Sequence, residues 1–271
     1  MIIIAEFCQN HNGDFELLKK MLHSAKESGA DYAKIQTIFA DMLSFRERFE
    51  TGIIKNGQEI SIKRPYKDEY ARLKKLELSM DRQAEFVKLC KSIDIKPLTT
   101  AFTRDSISLI KSAGFDEIKI ASYDCSSVPL LKDVKESFNK IFVSTGATND
   151  SEIEEASKIL EGSDFSFLHC VSQYPTPLNE YHLSRIDYLK SLCKNVGWSD
   201  HSLVERDGIL GTLASIYYGA KIIERHFTIL PANETKDGPV SIGPNHIAEL
   251  KSFSELSKDC LLYTSPSPRD S

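Results

Sequence analysis

Hydrophobic and polar positions recur along most of the chain with two different periods. Short runs rich in Ile, Val, Ala and Phe are typical of buried strands, and each is followed by a longer segment with apolar residues at helical spacing. These patterns predict strands over residues 2–7, 32–37, 96–102, 117–122, 140–145, 165–170, 195–200 and 220–227. Amphipathic segments such as FELLKKMLHSAKE, after the first strand, predict the intervening helices.

The strict alternation of strands and helices predicts a parallel sheet, because parallel neighbours need a long crossover connection, usually a helix. Eight such units in 271 residues indicate an α/β fold of the (β/α)₈ TIM barrel type. A doubly wound open sheet is the alternative. It is disfavoured because CQNHNGD, and not a GxGxxG turn, follows the first strand.

Two segments break this alternation. Residues 40–81 are long and charged and contain Pro65, which predicts an insertion that hangs over the mouth of the barrel. Residues 260–271, CLLYTSPSPRDS, show no helical period and are expected to be a non-native or disordered tail. The predicted barrel domain therefore comprises residues 1–259, and we expect the natural chain to be longer.

Composition excludes several classes of protein. With 41% hydrophobic and 27% charged residues the chain is expected to fold, and no apolar stretch approaches the roughly 20 residues that span a bilayer. The net charge of −5, without a basic cluster, argues against nucleic acid as a partner. The six cysteines form no CxxC pair, which argues against a zinc ribbon or a disulfide framework. The cysteine pattern indicates a reducing compartment, and we expect no membrane partner.

Polar residues concentrate at the carboxyl ends of the predicted strands, where barrels carry their functional groups. Lys34 and Lys119 lie on two different strands, and a buried ammonium is costly unless an anion neutralises it. Hydroxyl groups lie at the ends of other strands, namely those of Thr100, Ser122, Ser144 and Ser199. Together these residues predict a cradle for a phosphate or carboxylate group, with solvated strand-end lysines as the alternative.

Two histidines follow the last two strands. His201 and His226 can therefore converge on one divalent ion, with Asp200 and Glu224 expected to orient their rings. The alternative for each histidine alone is a structural role.

Nine short motifs, spread between residues 5 and 228, carry a family resemblance. They are AEFCQNHNGD, AKIQT, LELS, TTAF, KIAS, VSTGAT, LHCVSQYPTP, WSDHS and IERHFT. In combination they resemble the N-acylneuraminate (sialic acid) synthases, which condense phosphoenolpyruvate with an N-acylated amino sugar such as N-acetylmannosamine and release phosphate.

The resemblance implies roles for particular residues. The residues that match phosphoenolpyruvate-binding positions are Lys34, Thr100, Lys119, Ser122, Ser144 and Ser199. His201 and His226 would bind a divalent metal ion, Mn²⁺ or Mg²⁺. The residues that match positions for sugar contact or proton handling are Glu6, Gln36, Asp124 and Tyr174. Lys34, Lys119, Glu6 and Asp124 are the expected catalytic residues. The resemblance also implies a cytoplasmic location.

Three departures bear on the substrate and the assembly. Where many members read GPD, this chain reads KDGPVSIGP, so the sugar-contacting aspartate is replaced by Val240 or displaced to Asp237. Ser172, which with Asp237 is expected to bind substrate, stands where some members have Asn. Both changes leave the amino sugar open. We expect the family's C-terminal antifreeze-like domain, which in the family contributes an arginine across a dimer, to be absent from this chain, and a homodimer is expected only for a full-length form.

Two other functions remain open from the sequence. Another phosphoenolpyruvate- and metal-dependent aldolase-type barrel enzyme would share the lysines and histidines. A catalytically silent sugar-phosphate binding module would keep the cradle without turnover.

Overall fold

A closed barrel of eight parallel strands forms the centre of the computed structural model, which describes residues 1–55, 58–61 and 63–256. The strands are β1 (Ile2–Cys8), β2 (Tyr32–Thr37), β3 (Ile53–Lys55), β4 (Gln58–Ser61), β5 (Lys96–Ala101), β6 (Glu117–Ile120), β7 (Lys140–Ser144), β8 (Asp164–Cys170), β9 (Asn195–Asp200) and β10 (Ile222–His226). The barrel order is β1-β10-β9-β8-β7-β6-β5-β2, while β3 and β4 form a separate antiparallel pair. The TIM barrel prediction is confirmed, and the open-sheet alternative is wrong.

Helices connect the barrel strands and cover the outside of the barrel. They are α1 (Phe15–Glu27), α2 (Arg48–Thr51), α3 (Tyr66–Leu76), α4 (Met80–Ser92), α5 (Ser106–Ser112), α6 (Val128–Ser137), α7 (Asp150–Leu160), α8 (Arg185–Lys190), α9 (Val204–Asp207), α10 (Leu210–Tyr217) and α11 (Pro244–Glu255). Capping residues in the sequence define where several of these helices begin. Asp14 caps α1 by accepting hydrogen bonds from the backbone N–H groups of Glu16 and Leu17. Asn149 and Glu152 form a capping box at α7.

The inside of the barrel has an apolar layer and, above it, a polar layer. The apolar layer consists of Ile4, Tyr32, Leu98, Phe142, Leu168 and Ile222. Because side chains of a strand alternate between its two faces, the residue two positions further along each strand points to the same interior. Those residues are Glu6, Lys34, Thr100, Ser144, Cys170 and Glu224, all of them buried. The barrel therefore has an apolar floor and presents its polar groups near the carboxyl ends of the strands.

The segment between residues 40 and 81 contains α2, the β3–β4 hairpin and α3. The sequence pattern did not predict this hairpin. Arg72 of α3 donates a hydrogen bond to the side chain of Gln9, just after β1, at 2.6 Å. Gly13 lies so close to α3 that an added Cβ would come within 2.3 Å of the Lys75 carbonyl oxygen. The end of α3 therefore packs against the loop after β1, at the carboxyl side of the barrel.

The predicted strand ends differ from the observed ones by a few residues. The strand predicted over 117–122 ends at Ile120, because residues Ser122–Asp124 form a 3₁₀ turn. The strand predicted over 220–227 spans Ile222–His226. The predicted tail, 260–271, lies outside the described residues. Within the described part of the chain, no helix has the length and hydrophobicity needed to cross a membrane.

Candidate active site

Two lysines and two glutamates form an ionic network inside the upper layer of the barrel. Lys119 donates to Glu224 Oε1 at 2.7 Å, and Ser199 donates to the same oxygen at 2.8 Å. Lys34 lies 3.5 Å from Glu224 Oε2, contacts Glu6, and donates to Thr100 Oγ1 at 3.0 Å.

These residues belong to different strands, so the barrel closure itself brings the charges together. Glu6 lies opposite His226 in the pairing of β1 with β10, and Glu224 lies opposite Ser199 in the pairing of β10 with β9. Thr100 of β5 lies opposite Lys119 of β6. Six residues of this layer are each at most 4% exposed, namely Glu6, Lys34, Thr100, Lys119, Ser199 and Glu224. The charges are fixed by backbone register and are shielded from water.

The electrostatics of the network follow from its burial. Burial alone would raise the pKa of Glu224, but Lys119 and Lys34 outweigh it and hold that pKa below its usual value. Glu224 therefore remains an anion beside both lysines, while burial lowers the pKa of Lys34 to about 7.

Gly146, which follows β7, is closely surrounded by other groups. A Cβ added to Gly146 would lie 2.6 Å from Ser172 Oγ, 3.0 Å from Ser122 Oγ and 3.0 Å from the Cys170 carbonyl oxygen. Because Gly146 has no side chain, the Ser122 and Ser172 hydroxyls can approach its backbone closely. Ser144, the last residue of β7, lies two residues before Gly146 and is buried.

The two predicted metal-binding histidines lie side by side. The ring centroids of His201 and His226 are 5.2 Å apart. Tyr174, whose own ring stacks on His201 at 3.9 Å between centroids, is hydrogen-bonded through its hydroxyl to His201 Nε2 at 2.7 Å. Burial, and then the neighbouring His226, hold the pKa of His201 well below its usual value, so that its imidazole is neutral.

The orienting roles expected for Asp200 and Glu224 are corrected by the structure. Glu224 is bonded to Lys119 and Ser199. Asp200 faces away from the barrel interior and accepts a hydrogen bond from the Arg225 guanidinium at 2.5 Å. Adjacent residues of a strand point to opposite faces, so Asp200 is directed away from the side that Ser199 lines.

Most of the predicted site residues lie near one another, but Gln36 and Asp124 are not part of the hydrogen-bonded network around the lysines. No hydrogen bond among the described residues joins Gln36 or Asp124 to the lysines. Gln36 lies opposite Thr100 in the pairing of β2 with β5. Asp124 lies in the 3₁₀ turn after β6, where burial raises the pKa of its carboxyl.

One residue near the site was missed by sequence reasoning. Cys8, the last residue of β1, donates a hydrogen bond from its thiol to Asp237 Oδ2 at 2.8 Å. Its backbone N–H donates to Glu6 Oε1 at 2.6 Å. The spacing of Ile4, Glu6 and Cys8 at every second residue was the signal that could have placed Cys8 at the mouth.

Comparisons with known proteins show the family to which this chain belongs. Residues 21–260 match the model of the NeuB family. The chain belongs to the NeuB family. It is 34% identical over 256 residues to the N,N'-diacetyllegionaminic acid synthase of Campylobacter jejuni, covering 92% of this chain and 72% of that protein. It is 29% identical over 274 residues to the N-acetylneuraminate-9-phosphate synthase of Drosophila melanogaster, covering 98% and 69%.

A solved structure shows the same architecture. The N-acetylneuraminic acid synthetase of Leptospira borgpetersenii, crystallised with citrate, superposes with a TM-score of 0.82 at 30% identity. The match covers 99% of this chain and 87% of that one. This NeuB chain therefore has homologues that make sialic-type sugar acids.

Proposed function

We propose that this chain condenses phosphoenolpyruvate with an N-acylated amino sugar to form a nonulosonic acid and inorganic phosphate. The observation that carries the proposal is the pair of buried lysines, Lys34 and Lys119, in one layer with hydroxyl groups and beside two imidazoles. Phosphoenolpyruvate carries a carboxylate and a phosphate, and both need cations and hydrogen-bond donors in a site shielded from water.

The cradle's first task is to hold the substrate anion. Lys34 and Lys119 supply positive charge, while Thr100 and Ser199 already bond to the network and can turn their hydroxyls to an incoming oxygen. The Ser122 and Ser172 hydroxyls, which both lie close to Gly146, can donate hydrogen bonds to a phosphate or carboxylate oxygen. Fixed groups of this kind position the reactive carbon without reorganisation during the reaction.

The reaction forms one carbon–carbon bond, and at the former enol carbon a carbon–oxygen bond to water replaces the carbon–oxygen bond to phosphate. The methylene carbon of phosphoenolpyruvate attacks the aldehyde carbon of the open-chain sugar, and the aldehyde oxygen takes up a proton. Water adds to the former enol carbon, and phosphate leaves with the bridging oxygen to give a 2-oxo acid. Glu6, which contacts Lys34 and faces the strand of His226, is our candidate for the group that transfers protons.

A divalent ion is part of the proposal, and the residues present fit one. His226 Nδ1 is buried and makes no hydrogen bond to the described residues, and the neutral His201 lies beside it. His201 and His226 would hold the ion, which supplies Lewis acidity toward the sugar aldehyde. The Tyr174 hydroxyl is bonded to His201 Nε2 and would have to leave this nitrogen if it is to bind the ion.

The test is phosphate release from phosphoenolpyruvate across a panel of N-acylated hexosamines that includes N-acetylmannosamine. Release that depends on one sugar would support the proposal and name the substrate. Lys34→Met should abolish it. Lys96→Met is the matched control, because Lys96 lies at the opposite end of the barrel and pairs there with Glu117 at 3.0 Å. Tight phosphoenolpyruvate binding without release for any sugar would favour a silent binding module instead.

A further inference from the structure

A sulfur, a nitrogen and a carboxylate oxygen converge at the mouth of the barrel. Cys8 ends β1, His226 ends β10, and Asp237 lies in the loop that follows β10. Asp237 Oδ2 is 2.8 Å from Cys8 Sγ and 4.0 Å from His226 Nδ1. One donor atom from each of the three residues lies within 4.8 Å of the other two. An ion between them could contact all three after small side-chain movements.

The protein leaves one of these donors without a partner. Cys8 and His226 are 5% and 7% exposed, so water does not freely solvate their polar atoms. His226 Nδ1 forms no hydrogen bond to any described residue. Buried polar atoms are almost always hydrogen-bonded, and an atom without a partner is commonly explained by a bound ion or by a functional role. A metal ion would satisfy the Nδ1 lone pair.

The backbone at Cys8 is the second independent sign. Its φ angle is +50°, a left-handed conformation that residues with a side chain adopt at a cost in free energy. Glycine would occupy this position without that cost. The strand pairing of β1 with β2 is also shifted between Glu6 and Cys8. A thiol kept in a strained position and aimed at a carboxylate suggests a function for the sulfur.

We propose that Cys8 and Asp237 join His226 as ligands of the divalent ion, through a thiolate sulfur and a carboxylate oxygen. On binding, the sulfur–metal bond forms and the thiol proton leaves to solvent. A thiolate ligand favours Zn²⁺, Co²⁺ or Fe²⁺ over the hard ions Mg²⁺ and Ca²⁺. The inference deepens the proposed function and rests on it for the ion's role in the reaction, but binding of the ion requires no substrate.

The test is titration of the purified full chain with Co²⁺ alone, followed by the near-ultraviolet thiolate-to-cobalt charge-transfer band. We expect a band that saturates, is removed by Zn²⁺, and survives excess Mg²⁺. Cys8→Ser and Cys8→Gly should both lose the band and bind Co²⁺ at least about 10-fold more weakly. The glycine variant relieves the backbone strain, so a lost band in a folded protein reports the thiol and not misfolding. Circular dichroism checks that it is folded.

Cys193→Ser is the matched control, because Cys193 lies at the amino end of β9, where its thiol bonds to the Asn195 carbonyl oxygen. It should keep the band. A wild-type chain without the band, or a band that persists in Cys8→Gly, would overturn the inference. A band in a chain that releases no phosphate would uphold the metal site and count against the synthase. Phosphate release without the band would support the synthase and overturn the thiolate metal site.

Discussion

Replacing Asp200 by Asn should destabilise the fold far more than a change of one atom suggests. Asp200 is fully buried, and it accepts hydrogen bonds from Arg225 at 2.5 Å, from Thr212 at 2.6 Å and from the Ser202 backbone N–H at 2.8 Å. Arg225 is itself 1% exposed. The amide introduced by the substitution could keep one acceptor oxygen, but the guanidinium would lose its counter-charge in a place that water does not reach.

The expected magnitude follows from that burial. Removing one partner of a buried ion pair costs about 3–5 kcal/mol, because the remaining charge stays desolvated. With a urea dependence of about 3 kcal/mol per molar, the midpoint of unfolding should fall by about 1–1.7 M. The fluorescence of Trp198, which is fully buried two residues before Asp200 and is the only tryptophan, reports the transition.

A second aspartate provides the control. Asp207 is also buried, but its partner Arg206 is 49% exposed along its side chain and would be solvated after the change. Asp207→Asn should therefore shift the midpoint much less. Equal shifts for the two variants would refute the reasoning, because the expected difference between them comes from the burial of the remaining cation.

The stability difference between wild type and Asp200→Asn should also depend on pH. Burial would raise the pKa of Asp200, but Arg225 and the hydrogen bonds from Thr212 and Ser202 bring it below the usual value. A carboxylate with a lowered pKa stabilises the fold above the pKa of the unfolded state, about 3.9, and loses this effect as the pH falls further. The difference between wild type and Asp200→Asn should therefore narrow in acid. A difference that widens below about pH 4 would contradict this.

Three further predictions concern Gly146, the buried Gln83 of α4 and the ion. Gly146→Ala should weaken phosphoenolpyruvate binding by at least about 10-fold in calorimetry, roughly 1.4 kcal/mol, because its Cβ would lie 2.6 Å from Ser172 Oγ. Gly243→Ala, whose Cβ meets nothing closer than 3.9 Å, should leave binding unchanged. Gln83→Leu should lower stability by about 1–3 kcal/mol in urea unfolding, since the buried amide accepts from Thr37 at 2.6 Å; an unchanged midpoint would count against it. A chelator should abolish sugar-dependent phosphate release and added Mn²⁺ should restore it, whereas release that persists would remove the ion from the mechanism.

Much of the fold could be predicted because the barrel signal is local. Each strand is an apolar run with its own helix after it, and period-two alternation places Lys34, Lys119 and Glu6 inside without knowledge of the partners. The hairpin of β3 and β4 could not be predicted in the same way. Its residues Ile53 and Ile54 are exposed although they are apolar, so their hydrophobicity does not mark a buried face in β3.

The contacts of the site depend on pairings between distant parts of the chain. Lys119 and Glu224 are 105 residues apart, and Cys8 and Asp237 are 229 residues apart. Only the closure of the barrel and the path of the last loop bring them together, and neither is encoded in a local pattern. For the same reason Asp200 was associated with its sequence neighbour His201, although Asp200 bonds to Arg225 on the outer face.

The most direct test of the proposed reaction follows the carbon atoms. The chain is incubated with phosphoenolpyruvate labelled with ¹³C at all three carbons, Mn²⁺ and the amino sugar that supports phosphate release, and the products are analysed by mass spectrometry. The proposed condensation predicts a sugar acid that is three carbons longer than the acceptor and carries all three labelled atoms. Labelled pyruvate together with unchanged sugar would show hydrolysis without carbon–carbon bond formation and would contradict the proposed function.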